Sequence, residues 1–289
     1  MDKKGVEITF NWIFVIIAGS VLLMFFIYFA WQQIGLFNEI GIKEITNSIN
    51  NEIDAFSIGI SSNKIVELPK DISFSFKCGE VVYKTESKDT LHLVYSKGKL
   101  KDKFNLWTNA WIFPFKIDNL YYASELNKRF IILGEENFYF NLPDKFQKFN
   151  SLNQDVKKDD IIVDFTKENY HFRFKENKVL AVDSERSLIT FYPENKKEEF
   201  YSEAMIYGAM FSDYEEYSCL KKKAVERLGI MSELYKKKAN LLKLNSKCNF
   251  LYGEMDKTLD LFKKEPLRYK KIIEEQNDNI KRGGCISVF

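Results

Sequence analysis

Two histidines, several paired carboxylates, four cysteines and two lysine triads are the side chains of this sequence whose chemistry could go beyond packing. His92 lies between Leu91 and Leu93, and His171 between Tyr170 and Phe172. That alternation reads in each case as a strand with the histidine on its solvent face, so neither is expected to be a metal ligand or a general base. A Ser-His-Asp hydrolase would need one of them near a nucleophile elbow, and no G-x-S-x-G occurs. H-E-x-x-H, G-x-x-x-x-G-K-S/T and G-x-G-x-x-G are also missing, so no cofactor is expected. The carboxylate pairs Glu135-Glu136, Asp159-Asp160 and Glu215-Glu216 are raw material for acid–base work, which requires two carboxyl groups facing each other across a cleft. Asp160 opens an expected strand, and Asp164 lies four residues on along the same face. Solvated turns and strand ends account for these pairs, and a carboxylate-dependent surface hydrolase lacks its motifs.

The cysteines are Cys78, Cys219, Cys248 and Cys285. An even number in an oxidising compartment suggests disulfides, with three pairings open. Zinc is the rival, but no pair has C-x-x-C spacing and no second histidine is near either one, so no metal site is expected. If the C-terminal helices make a simple hairpin turning near Asn245, Cys219 is carried toward Cys285. If Pro266 reverses the chain again, Cys285 returns to Cys248. Pro266 is a strong helix boundary, which favours Cys248–Cys285.

Lys221-Lys222-Lys223 and Lys236-Lys237-Lys238 fall on one expected helix and could touch anionic headgroups or an acidic partner. The solvated back of an amphipathic helix, balanced by Glu226 and Glu233, explains them as well. The densest aromatic segment contains Trp107, Trp111, Phe113, Phe115, Tyr121 and Tyr122. Its default place is a core; any exposed part of Trp107, Trp111 and Phe113 would be an interaction surface.

These groups are held by elements of three kinds. Trp12 through Trp31 is apolar without a charge, and at about 1.5 Å per residue it matches a hydrocarbon core of roughly 30 Å. Trp12, Tyr28 and Trp31 sit where aromatic rings favour the headgroup level. Lys3 and Lys4 precede the run, and the next basic residue is Lys43. Positive-inside counting therefore predicts a single-pass signal-anchor in the cell membrane, with the N-terminus cytoplasmic and everything after Gln32 outside. A cleaved signal has a shorter apolar core and a small-x-small site, which is not found here.

Residues 1–33 thus form a tip and transmembrane helix, and 34–62 an amphipathic helix or linker with Ile42, Ile45, Ile49, Ile53 and Phe56 on one stripe. That segment either extends the membrane helix or follows a break near Gly35 or Gly41. Residues 63–198 are β-rich. Strands are expected around Ile72–Phe76, Leu91–Tyr95, Phe104–Trp107, Phe130–Leu133, Ile161–Phe165, Tyr170–Phe174, Val179–Val182 and Leu188–Tyr192. Ser96–Lys103 is expected as a charged turn, Asn177-Lys178 as a hairpin turn, and Asn141–Leu152 as a short helix plus loop. Residues 199–289 are helical. Ala204–Phe211 reads as a buried helix, and Ser212–Glu215 as the capping box of the next. That next helix carries the stripe Leu220, Ala224, Leu228, Met231, Tyr235, Ala239 and Leu242. A further helix carries Leu251, Met255, Leu259 and Phe262, and a last one runs from Pro266 to about Gly283. The predicted fold class is α+β.

The opening Lys3-Lys4-Gly5-Val6-Glu7, followed at once by the apolar run, resembles a class III signal of the type IV pilin kind. The resemblance implies cleavage between Gly5 and Val6 and a long N-terminal helix. Pilins carry a glutamate at the fifth mature position, where this chain has Phe10. Gly5–Gly19, Trp107–Phe115 and Met205–Ser212 also resemble a family of single-pass proteins from small-genome archaea, which implies a membrane anchor and no particular activity.

Net charge is only +2, with 43 basic against 41 acidic residues, so no global field attracts nucleic acid. The expected partners are the lipid bilayer and another membrane or surface protein. The functional expectation is a membrane-anchored extracytoplasmic protein that scaffolds or binds a partner, with a pilin-like filament subunit as the alternative.

Overall fold

The computed structural model describes residues 3–56, 61–68, 72–101, 103–152, 156–168, 170–244 and 247–289. Helix α1, Lys3–Phe56, is a single α-helix of 54 residues with no break at Gly35 or Gly41. Its first part contains Trp12–Gln33, a stretch long and apolar enough to cross a membrane, none of it buried by the rest of the chain. Its last turns carry Ile42, Ile45, Ile49 and Ile53, all buried. The side chain of Phe56 lies outside the described residues. Gly41 has a packing reason: a Cβ there would stand 3.1 Å from the ring of Tyr83, so the helix approaches that strand closely.

Among the described residues the β-rich middle holds three sheets. Strands β1 (Ser61–Glu67), β2 (Phe74–Lys77), β3 (Glu80–Tyr83), β4 (Glu86–Asp89), β5 (Leu93–Ser96), β6 (Lys99–Leu100), β7 (Lys103–Ile112) and β8 (Lys116–Ser124) make two of them. Their orders are β1-β7-β8-β5 and β4-β3-β2-β6. Alternation along β7 and β8 assigns the faces of the first sheet. Leu106, Tyr121 and Ala123 join Ile45, Ile49, Ile53, Phe74 and Phe76 on one side. Trp107, Leu120 and Tyr122 enter the main core on the other. A sheet buried on both faces is why this stretch is so aromatic.

The third sheet takes β9 (Arg129–Leu133), β10 (Gln147–Phe149), β11 (Ile161–Asp164), β12 (Lys178–Asp183), β13 (Leu188–Tyr192) and β14 (Lys196–Glu199), in the order β10-β9-β11-β12-β13-β14. β10, β9, β11 and β12 run parallel, and β13 and β14 pair antiparallel. Several local expectations change here. Tyr170–Phe172 is a 3₁₀ turn rather than a strand, because parallel β11 and β12 need a crossover between them and not a hairpin. Asn177 and Lys178 are therefore not a hairpin turn. The Asn177 amide donates to the carbonyls of Lys157, Lys158 and Asp160 at 2.7, 3.1 and 3.0 Å, closing the crossover. The short helix expected within Asn141–Leu152 comes earlier, as α2 over Glu136–Asn141, and β10 follows it. The charged turn Ser96–Lys103 contains β6, whose Leu100 is buried beside β2.

Helix α3, Glu203–Phe211, is buried at every position from Ala204 onward. It lies between two sheets, with Tyr207 edge-on to Trp107 at 4.7 Å and Phe211 against Phe130 at 5.1 Å, which explains its lack of a polar face. A Cβ at Gly208 would stand 2.8 Å from the Tyr95 ring, so only glycine lets α3 sit this close to β5. The α3 C-terminus is capped by the Lys178 ammonium, which donates to the carbonyls of Ala209, Met210 and Ser212. The carbonyls of a helix C-terminus favour a cation, while desolvation pushes the Lys178 pKa well below 10.5.

Helices α4 (Tyr214–Lys243), α5 (Asn249–Lys264) and α6 (Pro266–Arg282) form the last layer. The α4 N-cap is Asp213, whose carboxylate accepts from Glu216 N–H; Ser212 belongs to the end of α3, so the capping box starts one residue later than its spacing suggested. Leu220, Ala224, Leu228 and Ala239 are buried, and Met231, Tyr235 and Leu242 pack partly against the same core. Met255, Leu259 and Phe262 of α5 and Ile273 and Ile280 of α6 complete it. Pro266 is at the first turn of α6, and Gly283 caps its end. Asn245, the expected turning point, lies outside the described residues. The fold is α+β, with a β-rich middle and a helical C-terminal part.

Candidate functional site

The expected interaction surface is corrected by burial: Trp107, Trp111 and Phe113 are each at most 1% exposed. Phe113 stacks on Phe262 of α5 at 5.9 Å and Trp107 meets Tyr207 of α3 edge-on at 4.7 Å, so these rings join the β7 strand region to the helices. Gly5 and Val6 lie in the first turns of α1.

All four cysteines are paired. Cys248 is bonded to Cys285, with Cα atoms 6.5 Å apart, because Pro266 brings α6 back along α5. Cys78 is bonded to Cys219, with Cα atoms 5.6 Å apart across 141 residues of sequence. This second bridge ties a β-hairpin to α4. Lys77 pairs with Glu80, so Cys78 and Gly79 are a two-residue turn, and both have positive φ (52° and 77°). Such a turn matches the twist of its strands but is uncommon for a cysteine.

Glu216, in the first turn of α4, holds the same turn. Its Oε2 accepts the Cys78 N–H at 2.6 Å. Its Oε1 and the Ser96 hydroxyl are buried with no hydrogen-bond partner among the described residues. Both residues, with Lys77, Lys99, Asp213 and the disulfide, line a cleft of about 480 Å³. Burial raises the Glu216 pKa to about 7, and Asp213 adds to the rise; the Cys78 N–H, Lys223 and Lys77 oppose it. The carboxyl group therefore exchanges its proton near neutrality, a property found at many functional sites.

The histidines stand elsewhere and are not solvent-facing strand residues. His92 precedes β5, and its Nε2 is 3.1 Å from Asp54 Oδ1 on α1. Its ring is edge-on to Tyr121 at 5.1 Å. Burial lowers its pKa below 6.5, and Asp54 partly offsets this. His171 stacks flat on Tyr192 at 3.7 Å. Neither meets Glu216, so the cleft combines a titratable carboxyl and a hydroxyl without an imidazole base.

The remaining acids are structural. Asp160 and Asp164 are buried rather than solvated. Asp160 accepts from Lys157 N–H at 2.8 Å and lies 3.3 Å from Arg129 Nε. Asp164 accepts from the Thr166 N–H and hydroxyl at 2.8 and 2.6 Å, and burial raises its pKa against those bonds. Glu135 and Glu136 are exposed at the start of α2, and Glu215 pairs with Lys196 at 2.7 Å. Among the described residues no group of three or more His, Cys, Asp or Glu side chains is arranged to hold a metal ion. In the lysine triads, Lys221 is paired with Glu198 at 2.6 Å and Lys236 with Asp260 at 2.8 Å, while Lys222, Lys237 and Lys238 are exposed.

Comparison with protein-family models, with curated proteins and with solved structures finds no match for this chain.

Proposed function

We propose that this protein is a membrane-anchored binding or scaffolding module. The span Trp12–Gln33 holds it in the bilayer, Lys3 and Lys4 face the cytoplasm, and the head stands in an oxidising compartment outside. The observation that carries this reading is the pairing of an apolar span, unburied by the head, with a head closed by two disulfides. Disulfides persist where thiol reductants are absent, and flanking lysines orient a span with its basic end inside. The two disulfides and the buried core make the head a rigid platform for a second membrane or surface protein.

Alkaline carbonate extraction of membranes from cells making the chain tests the anchor. Retention of the full head in the pellet supports it; quantitative release would mean that the apolar segment is a removable signal. A second reading, a pilin-like subunit, is favoured by the unbroken helix from Lys3 to Phe56. Mature chain beginning at Val6 would support it, and an intact N-terminus would exclude it.

A further inference from the structure

The free end of the helical layer, formed by the end of α4, the start of α5 and the segment after α6, combines exposed apolar side chains with a surplus of positive charge. Leu241 (71% exposed), Leu244 (75%), Phe250 (74%) and Ile286 (67%) come from all three segments. The Cys248–Cys285 bridge and the hydrogen bond from the Tyr252 hydroxyl to the Ile286 carbonyl at 2.8 Å hold the last two together, and the Asn240 amide donates from α4 to Asp256 of α5 at 2.9 Å. These four side chains belong to no core. Leu242 and Leu251, their neighbours in sequence, turn inward and pack.

Charge on this end is mainly positive. From Lys237 to Gly253 the charged residues are Lys237, Lys238, Lys243 and Lys247, and from Asn279 to Phe289 they are Lys281 and Arg282. No acidic residue occurs in either stretch. The nearest acids are Glu254, one turn beyond Phe250, Asp256, which accepts from the Asn240 amide, and Asp278, 3.7 Å from Lys281, so cations remain in excess. Leucine, isoleucine and phenylalanine rimmed by lysine and arginine fit the acyl–headgroup boundary of an anionic bilayer. The apolar tips enter the boundary while the cations stay at phosphate level.

We propose that this end of the helical layer is a docking tip for an anionic lipid surface. The proposal goes beyond the anchor: α1 holds the chain in one bilayer, and the tip adds a second, lipid-selective contact. The four apolar groups project outward from separate segments. An acidic protein would recognise the lysines without using them, whereas a bilayer engages both.

The test uses the full chain in phosphatidylcholine nanodiscs, followed by hydrogen exchange and by co-sedimentation with added protein-free vesicles. Placing phosphatidylserine in the disc should slow exchange in the peptides carrying Leu244, Phe250 and Ile286 if the tip reaches its own membrane. If it reaches a facing membrane, phosphatidylserine vesicles should capture the discs and give the same protection. Either result supports the proposal when pure phosphatidylcholine fails to reproduce it and high salt reverses it. The double substitution Leu244→Ser/Phe250→Ser should weaken the contact at least about tenfold without shifting the melting temperature. Unchanged tip exchange and no capture with phosphatidylserine in either position would overturn the proposal. So would binding that ignores lipid charge, salt and the double substitution. A chain that does not enter discs would refute the anchor alone, because the vesicle measurement still reads the tip.

Discussion

Glu216 Oε2 accepts the Cys78 N–H at 2.6 Å, and the Cys78–Cys219 disulfide crosses the same gap one turn further along α4. A charge-capable hydrogen bond and a covalent bond thus fasten the same hairpin turn to the same helix. The two fastenings respond to different conditions. The disulfide answers to redox state and the carboxylate to pH.

Glu216 gives the first prediction. Its pKa is raised from 4.5 to about 7, chiefly by burial, so the folded state holds the proton more tightly than the unfolded chain. Its contribution to stability is full below pH 4.5 and is lost as pH rises through 7. Glu216→Gln keeps an acceptor for the Cys78 N–H and removes the charge. This variant should therefore be more stable than the parent above pH 7, by on the order of 2 kcal/mol, and the two should converge below pH 4.5. Parallel melting curves at all pH values would show that Glu216 does not titrate as its burial implies.

The disulfides give the second. Non-reducing peptide mapping should recover Cys78 linked to Cys219 and Cys248 linked to Cys285. Four free thiols would remove the oxidising-compartment argument together with both bridges. Replacing Cys78 and Cys219 by serine should cost about 2–5 kcal/mol, and more than the same change at Cys248 and Cys285, because the longer sequence loop is released.

Close packing in the helical layer gives the third. Leu228 is fully buried in the main core, so Leu228→Ala should cost about 2–5 kcal/mol. Gly208→Ala should also destabilise, because its new methyl would meet the Tyr95 ring at 2.8 Å. Chemical denaturation measures both. An unchanged midpoint for either would mean that α3 and α4 do not pack as described.

A fourth prediction concerns the joint between α1 and the head. Burial lowers the His92 pKa below 6.5, and Asp54, 3.1 Å away, opposes that shift. A histidine with a lowered folded pKa contributes stability that is present above its unfolded value near 6.5 and is lost as pH falls through the folded value. Asp54→Asn should lower the His92 pKa further, as read by proton NMR of the imidazole. A rise would show that the aspartate is not the residue supporting its charge.

Periodicity in the sequence reveals the helices well. The spacing Leu220, Ala224, Leu228 marks the buried face of α4, and Pro266 and Gly283 mark the ends of α6, because caps and stripes are local signals. The strands β9, β11, β12 and β13 are likewise visible as apolar runs. Their pairing is not, since a run such as Ile161–Asp164 looks the same whether its neighbour is parallel or antiparallel. Lys178 resembles a turn residue because the carbonyls that satisfy it come from Ala209 to Ser212, far along the chain. β14 is missed because Lys196–Glu199 is wholly charged and mostly exposed, a strand only through its pairing with β13. Glu216 resembles half of a solvated pair; its burial depends on the hairpin at Cys78, and no local pattern records a contact across that separation.

The orientation of the chain in the membrane is the central claim, and protease added to intact cells tests it most directly. With the N-terminus inside, cleavage should reach the head beyond Ser61 without lysis and leave the span Trp12–Gln33 in a protected membrane fragment. A head that resists protease on intact cells and is cut only after the membrane is opened would contradict the account.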